Sequence, residues 1–269
     1  MRNYRALLIN DLHCGHQLGL TPPGWQCEEN QSWQRPAWDF YSKMVEQIGY
    51  VDDFFLNGDA IDGPGYKGTT EHIFTDVGVQ ADMALCACKL IKRKHCHVIR
   101  GTGFHTDGHT SYEDKIADGL NVDAVDELRV EAYGRKFHIR HVVGRSDTPY
   151  GQHTQIQKEL INEILQAEFE DYQAADVLIR AHVHYCFGTW TADSSRGIIR
   201  HAFTAPALQL RGPKPSSFTR GLRTWKYDFG VTLIEVDPSS KEVFIRPFIM
   251  PIKNYMSREY ICLTKKLKN

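Results

Sequence analysis

Five apolar segments of the chain stop abruptly on residues that bind cations or transfer protons, and this pattern restricts the folds that the chain can adopt. Runs of this kind are typical of strands that are buried on both faces. After the first run, Asp11 and His13 follow with one residue between them. Alternate side chains of an extended chain point the same way, so we expect a carboxylate and an imidazole to leave this strand together. The five segments are residues 7–13, 54–62, 98–105, 141–144 and 177–184.

The composition is that of a globular chain with a sizeable core. Its 269 residues are 42% hydrophobic and 24% charged, which suits one large α/β domain, and we predict a single domain over residues 1–269. The formal net charge of -1 gives no general attraction to nucleic acid or to an anionic membrane. Any such partner must therefore be held by a local patch.

The cysteines and the hydropathy pattern predict a cytoplasmic protein. Seven cysteines are odd in number and lack the paired spacing of a zinc ribbon, which favours reduced thiols. The N-terminus has no long apolar region of the kind found in signal peptides, and no segment approaches the roughly 18 apolar residues of a spanning helix. We therefore expect no contact with a membrane and a location in the cytoplasm.

The order of predicted elements indicates two sheets placed between helices. The first half alternates strands with helices, and the part after residue 175 is mostly strands that look antiparallel. Residues 14–36 are rich in Gly, Pro, Gln and Trp and predict a long loop insertion near a site. Residues 152–172 predict an amphipathic helix. Its core stripe would consist of Ile156, Leu160, Ile164, Leu165 and Phe169.

The groups at the strand ends predict a site for two metal ions. Carboxylates and imidazoles without thiolates favour Mn, Fe, Zn, Co or Ni. Six such groups exceed the needs of one tetrahedral zinc, whereas two ions about 3.5–4 Å apart that share one carboxylate would use them all. Asp59 is the natural bridge because it stands at a strand end. The six candidate ligands are Asp11, His13, Asp59, His141, His182 and His184.

These blocks, in this order, resemble the calcineurin-like metallophosphoesterases. The likeness spans residues 7–184, and the sequence of these blocks is most similar to family members found in phages and prophages. It implies an α/β fold, a four-layer αββα sandwich of two mixed β-sheets flanked by helices. The matching blocks are Asp11-x-His13, Gly58-Asp59-x-x-Asp62, Gly101 followed by His105, His141 before Val-Val-Gly, and Ala181-His182-x-His184.

The resemblance also implies how the six ligands are divided. Asp11, His13 and His184 would bind the first ion, His141 and His182 the second, and Asp59 both. Asp62 would support the site without binding metal. The implied reaction is hydrolysis of a phosphate ester by a hydroxide that bridges the two ions, with manganese as the first choice of metal.

One block departs from the family pattern of Gly-Asn-His followed by an acid. This chain has Gly101, Thr102 and then, after two further residues, His105, so the metal-binding asparagine is missing. Either His105 keeps the family's proton-transfer role while Thr102 or water takes the metal coordination position of the asparagine, or His105 has itself become a ligand. A proton donor near the leaving group favours the first alternative. If His105 is a ligand, His16 or His109 would be the substitute donor.

The basic and aromatic residues of the segment 211–227 could form a substrate surface. Such mixtures bind single strands or phosphates, although an ordinary solvated loop is an equal alternative. Its candidate substrate-binding residues are Arg211, Lys214 and Arg220.

The predicted function is hydrolysis of a phosphate diester. The basic segment and the phage-like sequence favour a nuclease or nucleotide phosphodiesterase. If the protein is phage-encoded, it would act in the cytoplasm of a bacterial host. Its partner would be a phosphate ester, either nucleic acid or nucleotide. The alternatives are a phosphomonoesterase or nucleotide phosphatase, and a non-catalytic scaffold that uses the same fold.

Overall fold

A computed structural model describes residues 2–64, 71–105, 111–146, 148–210 and 227–251. Within these ranges the chain forms eleven strands and four α-helices. The helices are α1 (Gln31–Ile48), α2 (Val77–Lys89), α3 (Tyr112–Gly119) and α4 (Pro149–Phe169). The strands are β1 (Tyr4–Ile9), β2 (Val51–Asn57), β3 (Arg93–Ile99), β4 (Ala124–Val125), β5 (Glu127–Ala132), β6 (Arg135–Arg140), β7 (Val177–Arg180), β8 (Phe187–Asp193), β9 (Ile198–Thr204), β10 (Gly230–Val236) and β11 (Val243–Ile249).

The strands form two mixed sheets. The first has the order β11-β10-β1-β2-β3-β4, in which β1 to β4 are parallel and β10 and β11 are antiparallel to their neighbours. The second has the order β5-β6-β7-β9-β8, with parallel β6, β7 and β9 between two antiparallel edge strands. Each sheet therefore has a parallel centre, and the carboxyl ends of neighbouring parallel strands meet at one edge.

Alternation along the central strands places the two sheets between layers of helix. In β1, Leu7 and Ile9 pack in the cluster that also contains side chains of α1, α2 and α3, whereas Leu8 packs in the cluster between the two sheets. On the outer face of the second sheet, Ile156 of α4 packs with Leu178 of β7. These clusters define four layers in the order helix, sheet, sheet, helix. The predicted α/β class with two mixed sheets flanked by helices is therefore confirmed.

The start of α1 and the buried face of α4 differ from the sequence predictions. The loop insertion predicted for residues 14–36 ends at Asn30, because α1 begins at Gln31 and contains Pro36. Two short 3₁₀ turns lie within the insertion. The core stripe predicted for α4 is wrong at its C-terminal end, since Leu165 is 47% and Phe169 89% exposed. That residues 1–269 form one domain stays a prediction.

Two features of the described ranges relate to the predicted cytoplasmic location. None of the four α-helices in the described ranges is long and apolar enough to cross a membrane. The six cysteines in these ranges form no disulfide bonds with one another. The cytoplasmic location stays a prediction.

A buried carboxylate joins α4 to the second sheet. Glu163 is only 4% exposed and accepts hydrogen bonds from the guanidinium of Arg129 at 2.8 and 3.1 Å. It also accepts from Nδ1 of His138 at 3.1 Å and from the backbone N–H of Ala175 at 3.0 Å. Burial raises the pKa of Glu163, but the hydrogen bonds from His138 and Arg129 outweigh burial and hold this pKa well below its ordinary value of 4.5.

We expect Glu163→Gln to destabilise the fold by about 1–3 kcal/mol at pH 7, because the buried donors of His138 and Ala175 lose their charged acceptor. A carboxyl group whose pKa is lowered by folding stabilises the protein above its unfolded pKa and loses this effect as the pH falls through the folded pKa. The difference from wild type should therefore shrink below about pH 4.5. Urea unfolding at pH 7 and pH 3.5 measures it, with the exposed Glu168→Gln as the control. Equal differences at both pH values would contradict the expectation.

Candidate metal centre

The carboxyl ends of four strands bring the six candidate ligands to one place. Asp11 and His13 follow β1, Asp59 follows β2, and the remaining three histidines follow β6 and β7. Backbone hydrogen bonds join the first two ends, since the N–H of Asp11 donates to the carbonyl of Gly58 and that of His13 donates to the carbonyl of Asp59. Five of the six side chains are buried, and the sixth, His182, is 36% exposed.

The backbone at this edge adopts left-handed conformations that are costly for residues other than glycine. Of the nine non-glycine residues with positive φ in the described ranges, five are candidate ligands. Such strain persists where the surrounding structure enforces it, and it concentrates at functional sites. Asp11 and His13 are therefore brought together as expected, but by left-handed turns and not by an extended chain. The five residues are Asp11, His13, Asp59, His182 and His184, with φ of 50°, 44°, 48°, 71° and 55°.

Asp11, His13 and His184 form the first group of ligand atoms, which all lie within 4.8 Å of one another. Nε2 of His184 is 3.3 Å from Nε2 of His13 and 3.2 Å from Oδ1 of Asp11. The other oxygen of Asp11 accepts hydrogen bonds from the Asn10 side chain at 2.5 Å and from the backbone of His182 at 3.2 Å. Oδ1 is buried and has no hydrogen-bond partner within the described ranges.

Asp59, His141 and His182 form the second group, also within 4.8 Å. Oδ2 of Asp59 lies 2.9 Å from Nε2 of His141 and 3.7 Å from Nδ1 of His182. Oδ1 of Asp59 accepts hydrogen bonds from Thr102, at 2.7 Å from the backbone N–H and 3.1 Å from the hydroxyl. Nε2 of His141 is also 3.7 Å from Oδ1 of Asp11, so the two groups adjoin.

Hydrogen bonds at Nδ1 indicate which tautomer each buried histidine adopts. Nδ1 of His13 lies 3.1 Å from Oδ1 of Asp62, and Nδ1 of His105 lies 2.7 Å from the carbonyl of Asp62. Nδ1 of His141 lies 2.6 Å from the carbonyl of Asn57. Because carboxylate and carbonyl oxygens only accept, these Nδ1 atoms carry the hydrogen. The lone pairs of the Nε2 atoms are therefore available toward the centre, as they are in histidines that bind metals.

The electrostatics of the centre are those of a site that attracts positive charge. Burial raises the pKa of Asp11 and of Asp59, but the neighbouring imidazoles outweigh burial and hold both well below the ordinary range. Burial lowers the pKa of His141, but Asp59 and Asp11 outweigh it and raise this pKa to about 10. Without a cation, the two carboxylates thus draw a proton onto the imidazole between them.

The side chains present fit divalent cations. In Asp11 and in Asp59, one oxygen is held by N–H or O–H donors and the other faces imidazole nitrogens. Buried acceptors without donors are costly, and a cation would satisfy Oδ1 of Asp11, which lacks a hydrogen-bond partner among the described residues. Nitrogen and oxygen donors without thiolates suit Mn, Fe, Zn, Co or Ni.

Comparisons with known proteins give only distant likenesses. No family model and no curated protein matches the chain. An archaeal phosphodiesterase structure is 11% identical, with a TM-score of 0.41 over 91% of this chain and 99% of that one. A metallophosphoesterase from Sphaerobacter thermophilus is 8% identical, with a TM-score of 0.40 over 91% and 88% of the two chains. A Thermotoga maritima protein solved by NMR is 13% identical, with a TM-score of 0.40 over 92% and 99%. Likeness this weak carries no argument, so the role of each residue at the centre is inferred from the contacts within this chain.

His105 lies beside both groups of ligand atoms. It is 9% exposed, and its Nε2 is 3.6 Å from Oδ2 of Asp59. His105 also forms a group within 4.8 Å together with His13 and Asp59. This position suits a ligand as well as a proton donor, so both alternatives stay open. His16, one substitute donor, is 8% exposed and its Nδ1 accepts from the N–H of Leu18.

The segment predicted to bind substrate lies almost entirely outside the described residues. Arg211, Lys214 and Arg220 belong to the part of the chain that is not described, as does His109. Their predicted roles stay predictions.

Three residues at the centre were missed by sequence reasoning. The hydroxyl of Tyr227 contacts Nδ1 of His184, His72 lies 2.9 Å from Oδ2 of Asp62, and Asn10 holds Asp11. Asn10 stands directly before a candidate ligand, and Tyr227 ends the basic segment, so both positions offered a weak signal. His72 offered less, since it only follows a loop near the site. All three support candidate ligands or their partner Asp62.

Proposed function

We propose that this chain is a hydrolase that cleaves phosphate esters with two divalent cations. One observation carries the proposal: two groups of mostly buried ligand atoms lie next to each other. The carboxylate of Asp59 faces the imidazoles of the second group. A scaffold without catalysis has no need to desolvate so many inward-facing ligands. Manganese is the metal that we propose first, with Fe, Zn, Co or Ni as alternatives.

In this proposal, the residues of the chain orient the metal ligands and transfer a proton to the leaving group. When bound, two divalent ions make water nucleophilic near neutral pH and neutralise charge that develops on the phosphoryl oxygens. Thr102 orients the carboxylate of Asp59, which would hold the cations, by donating to Oδ1 at 2.7 and 3.1 Å and more weakly to Oδ2 at 3.4 Å. Asp62 fixes the ring of His13 through Nδ1. His105, at the edge of both groups, is the residue we propose to protonate the leaving oxygen.

The proposed substrate is a phosphate diester such as nucleic acid or a nucleotide diester. Its support is the sequence of segment 211–227, which mixes cations with aromatic residues. We propose that Arg211, Lys214 and Arg220 contact the phosphate chain. Cleavage of a monoester, including a nucleotide phosphate, is the alternative activity.

Purified protein treated with chelator and reloaded with manganese tests the proposal. We expect close to two equivalents of bound metal by elemental analysis and faster cleavage of a chromogenic diester than of the matching monoester. Faster monoester cleavage would overturn the substrate preference alone. Fewer than one equivalent of bound metal, together with no hydrolysis of either ester, would favour the scaffold instead.

Replacing His105 separates its two possible roles. If it donates a proton, His105→Ala should keep both equivalents of metal and lower turnover by about 100-fold or more, with little loss for substrates whose leaving group needs no proton. If it is a ligand, the same variant should lose metal. Metal content and turnover on esters with good and poor leaving groups measure the difference. His95→Ala, whose side chain is 55% exposed at the other end of β3, is the control.

A further inference from the structure

His184 differs from the other buried histidines of the centre in the partner of its Nδ1. His13, His105 and His141 each donate Nδ1–H to an oxygen of Asp62 or Asn57, which are groups that only accept. Nδ1 of His184 instead contacts the hydroxyl of Tyr227, a group that can donate or accept. The tautomer of His184 therefore depends on where the phenol hydrogen points.

Gln209 determines the direction of that hydrogen. The hydroxyl of Tyr227 donates to Oε1 of Gln209 at 3.2 Å, so its hydrogen points away from His184 and its oxygen can accept from Nδ1–H of His184. The rings of His184 and Tyr227 are 5.0 Å apart at an interplanar angle of 62°. This chain of two hydrogen bonds keeps the hydrogen of His184 on Nδ1 and the lone pair of Nε2 toward the centre.

The alternative tautomer has an acceptor already in place. Oδ1 of Asp11 lies 3.2 Å from Nε2 of His184. If the phenol were absent, a hydrogen on Nε2 could bond to this buried carboxylate oxygen, whereas a hydrogen on Nδ1 would have lost its acceptor. That single hydrogen bond would occupy two of the three ligand atoms in the first group.

We propose that Tyr227, oriented by Gln209, is the positioning residue that keeps His184 able to bind metal. The inference rests on the proposed function, because it concerns the same centre. Partners of this kind change metal affinity by about 10–100-fold when they are removed. Tyr227 would thus act through His184 and would not itself be a ligand of the cations.

The backbone near Tyr227 allows the hydroxyl to be removed alone. The N–H of Asp228 donates to the carbonyl of His184 at 2.9 Å, and the side chain of Asp228 accepts from the N–H of Cys186 at 2.7 Å. These bonds hold residues 227–228 against residues 184–186 independently of the phenol. Tyr227→Phe should therefore keep the aromatic ring in place and delete only the hydrogen bonds of its hydroxyl.

Manganese titration of chelator-treated protein, followed by electron paramagnetic resonance, tests the inference. We expect Tyr227→Phe to bind its first equivalent about 10–100-fold more weakly than wild type. Nitrogen-15 shifts of the metal-free protein should show His184 moving from the Nδ1–H to the Nε2–H tautomer. The control is Tyr185→Phe, because Tyr185 is fully buried next to His184 and its hydroxyl has no partner among the described residues.

The outcomes separate this inference from the function on which it rests. If wild type binds neither manganese nor Fe, Zn, Co or Ni, the proposed function is wrong. If wild type binds and Tyr227→Phe binds equally well with an unchanged tautomer, only the positioning role of Tyr227 is overturned. Should Tyr227→Phe not fold, Gln209→Leu carries the test, because it removes the acceptor that orients the phenol hydrogen. That variant should weaken binding several-fold, and unchanged binding would overturn the role.

Discussion

Asp59→Asn should lower phosphate-ester hydrolysis by about 1000-fold or more while the protein stays folded. The amide oxygen can still accept the hydrogen bonds of Thr102, but an NH₂ group then stands where Oδ2 lies 2.9 Å from Nε2 of His141. That group would donate to the imidazole and occupy the lone pair meant for a cation. A loss of 1000-fold corresponds to about 4 kcal/mol, within the several kcal/mol that metal ions contribute to such reactions.

Metal content, turnover and thermal unfolding together test this expectation. The control is Asp53→Asn, because Asp53 lies near the other end of β2, where it contacts Nε2 of His97 at 2.6 Å. This control should keep its bound metal and its turnover. Wild-type rates in Asp59→Asn would mean that the centre has been placed wrongly.

Gly101→Ala should also abolish most activity, through steric conflict instead of charge. A Cβ at Gly101 would lie 2.1 Å from Oδ1 and 2.3 Å from the backbone nitrogen of Asp59. Asp59 would have to shift, and its hydrogen bonds to Thr102 would break. Misplacement by about 1 Å costs on the order of 100-fold in rate, and an overpacked site costs about 1–3 kcal/mol of stability.

Gly103→Ala is the matched control two residues away. A Cβ at Gly103 meets no heavy atom of the described residues within 4 Å, so the same substitution should leave metal content, turnover and unfolding close to wild type. Turnover and denaturant unfolding of both variants measure the contrast. Similar behaviour of Gly101→Ala and Gly103→Ala would show that close packing of backbone against Asp59 is unimportant.

The position of the centre was predictable because parallel strands share one direction. Apolar runs that end on acids and imidazoles indicate buried strands, and the carboxyl ends of neighbouring parallel strands must meet at one edge. The apolar part of segment 54–62 lies in β2 (Val51–Asn57), and Asp59 follows the end of that strand. The resemblance then assigned the ligands in order along the chain, and the structure places Asp11, Asp59 and His141 together.

Helix boundaries and helix faces were less predictable, because they depend on what packs against them. Pro36 suggested a loop, yet it lies inside α1, since the helix begins at Gln31 and its inner face is covered by the first sheet. In α4, apolar spacing predicted that Leu165 and Phe169 are buried. The second sheet covers Ile156 instead, and Phe169 remains 89% exposed. Periodicity shows which side chains share a face and not how far the neighbouring sheet extends.

The sequence by itself determined the class of the fold and the kinds of ligand, because both follow from local hydrophobic pattern and residue chemistry. The tertiary structure alone decided how those ligands are held. The left-handed turns at Asp11 and Asp59 and the contact of Tyr227 with His184 depend on segments that are distant in the chain. Local patterns carry no information on such pairs, since only folding brings their atoms within hydrogen-bonding distance.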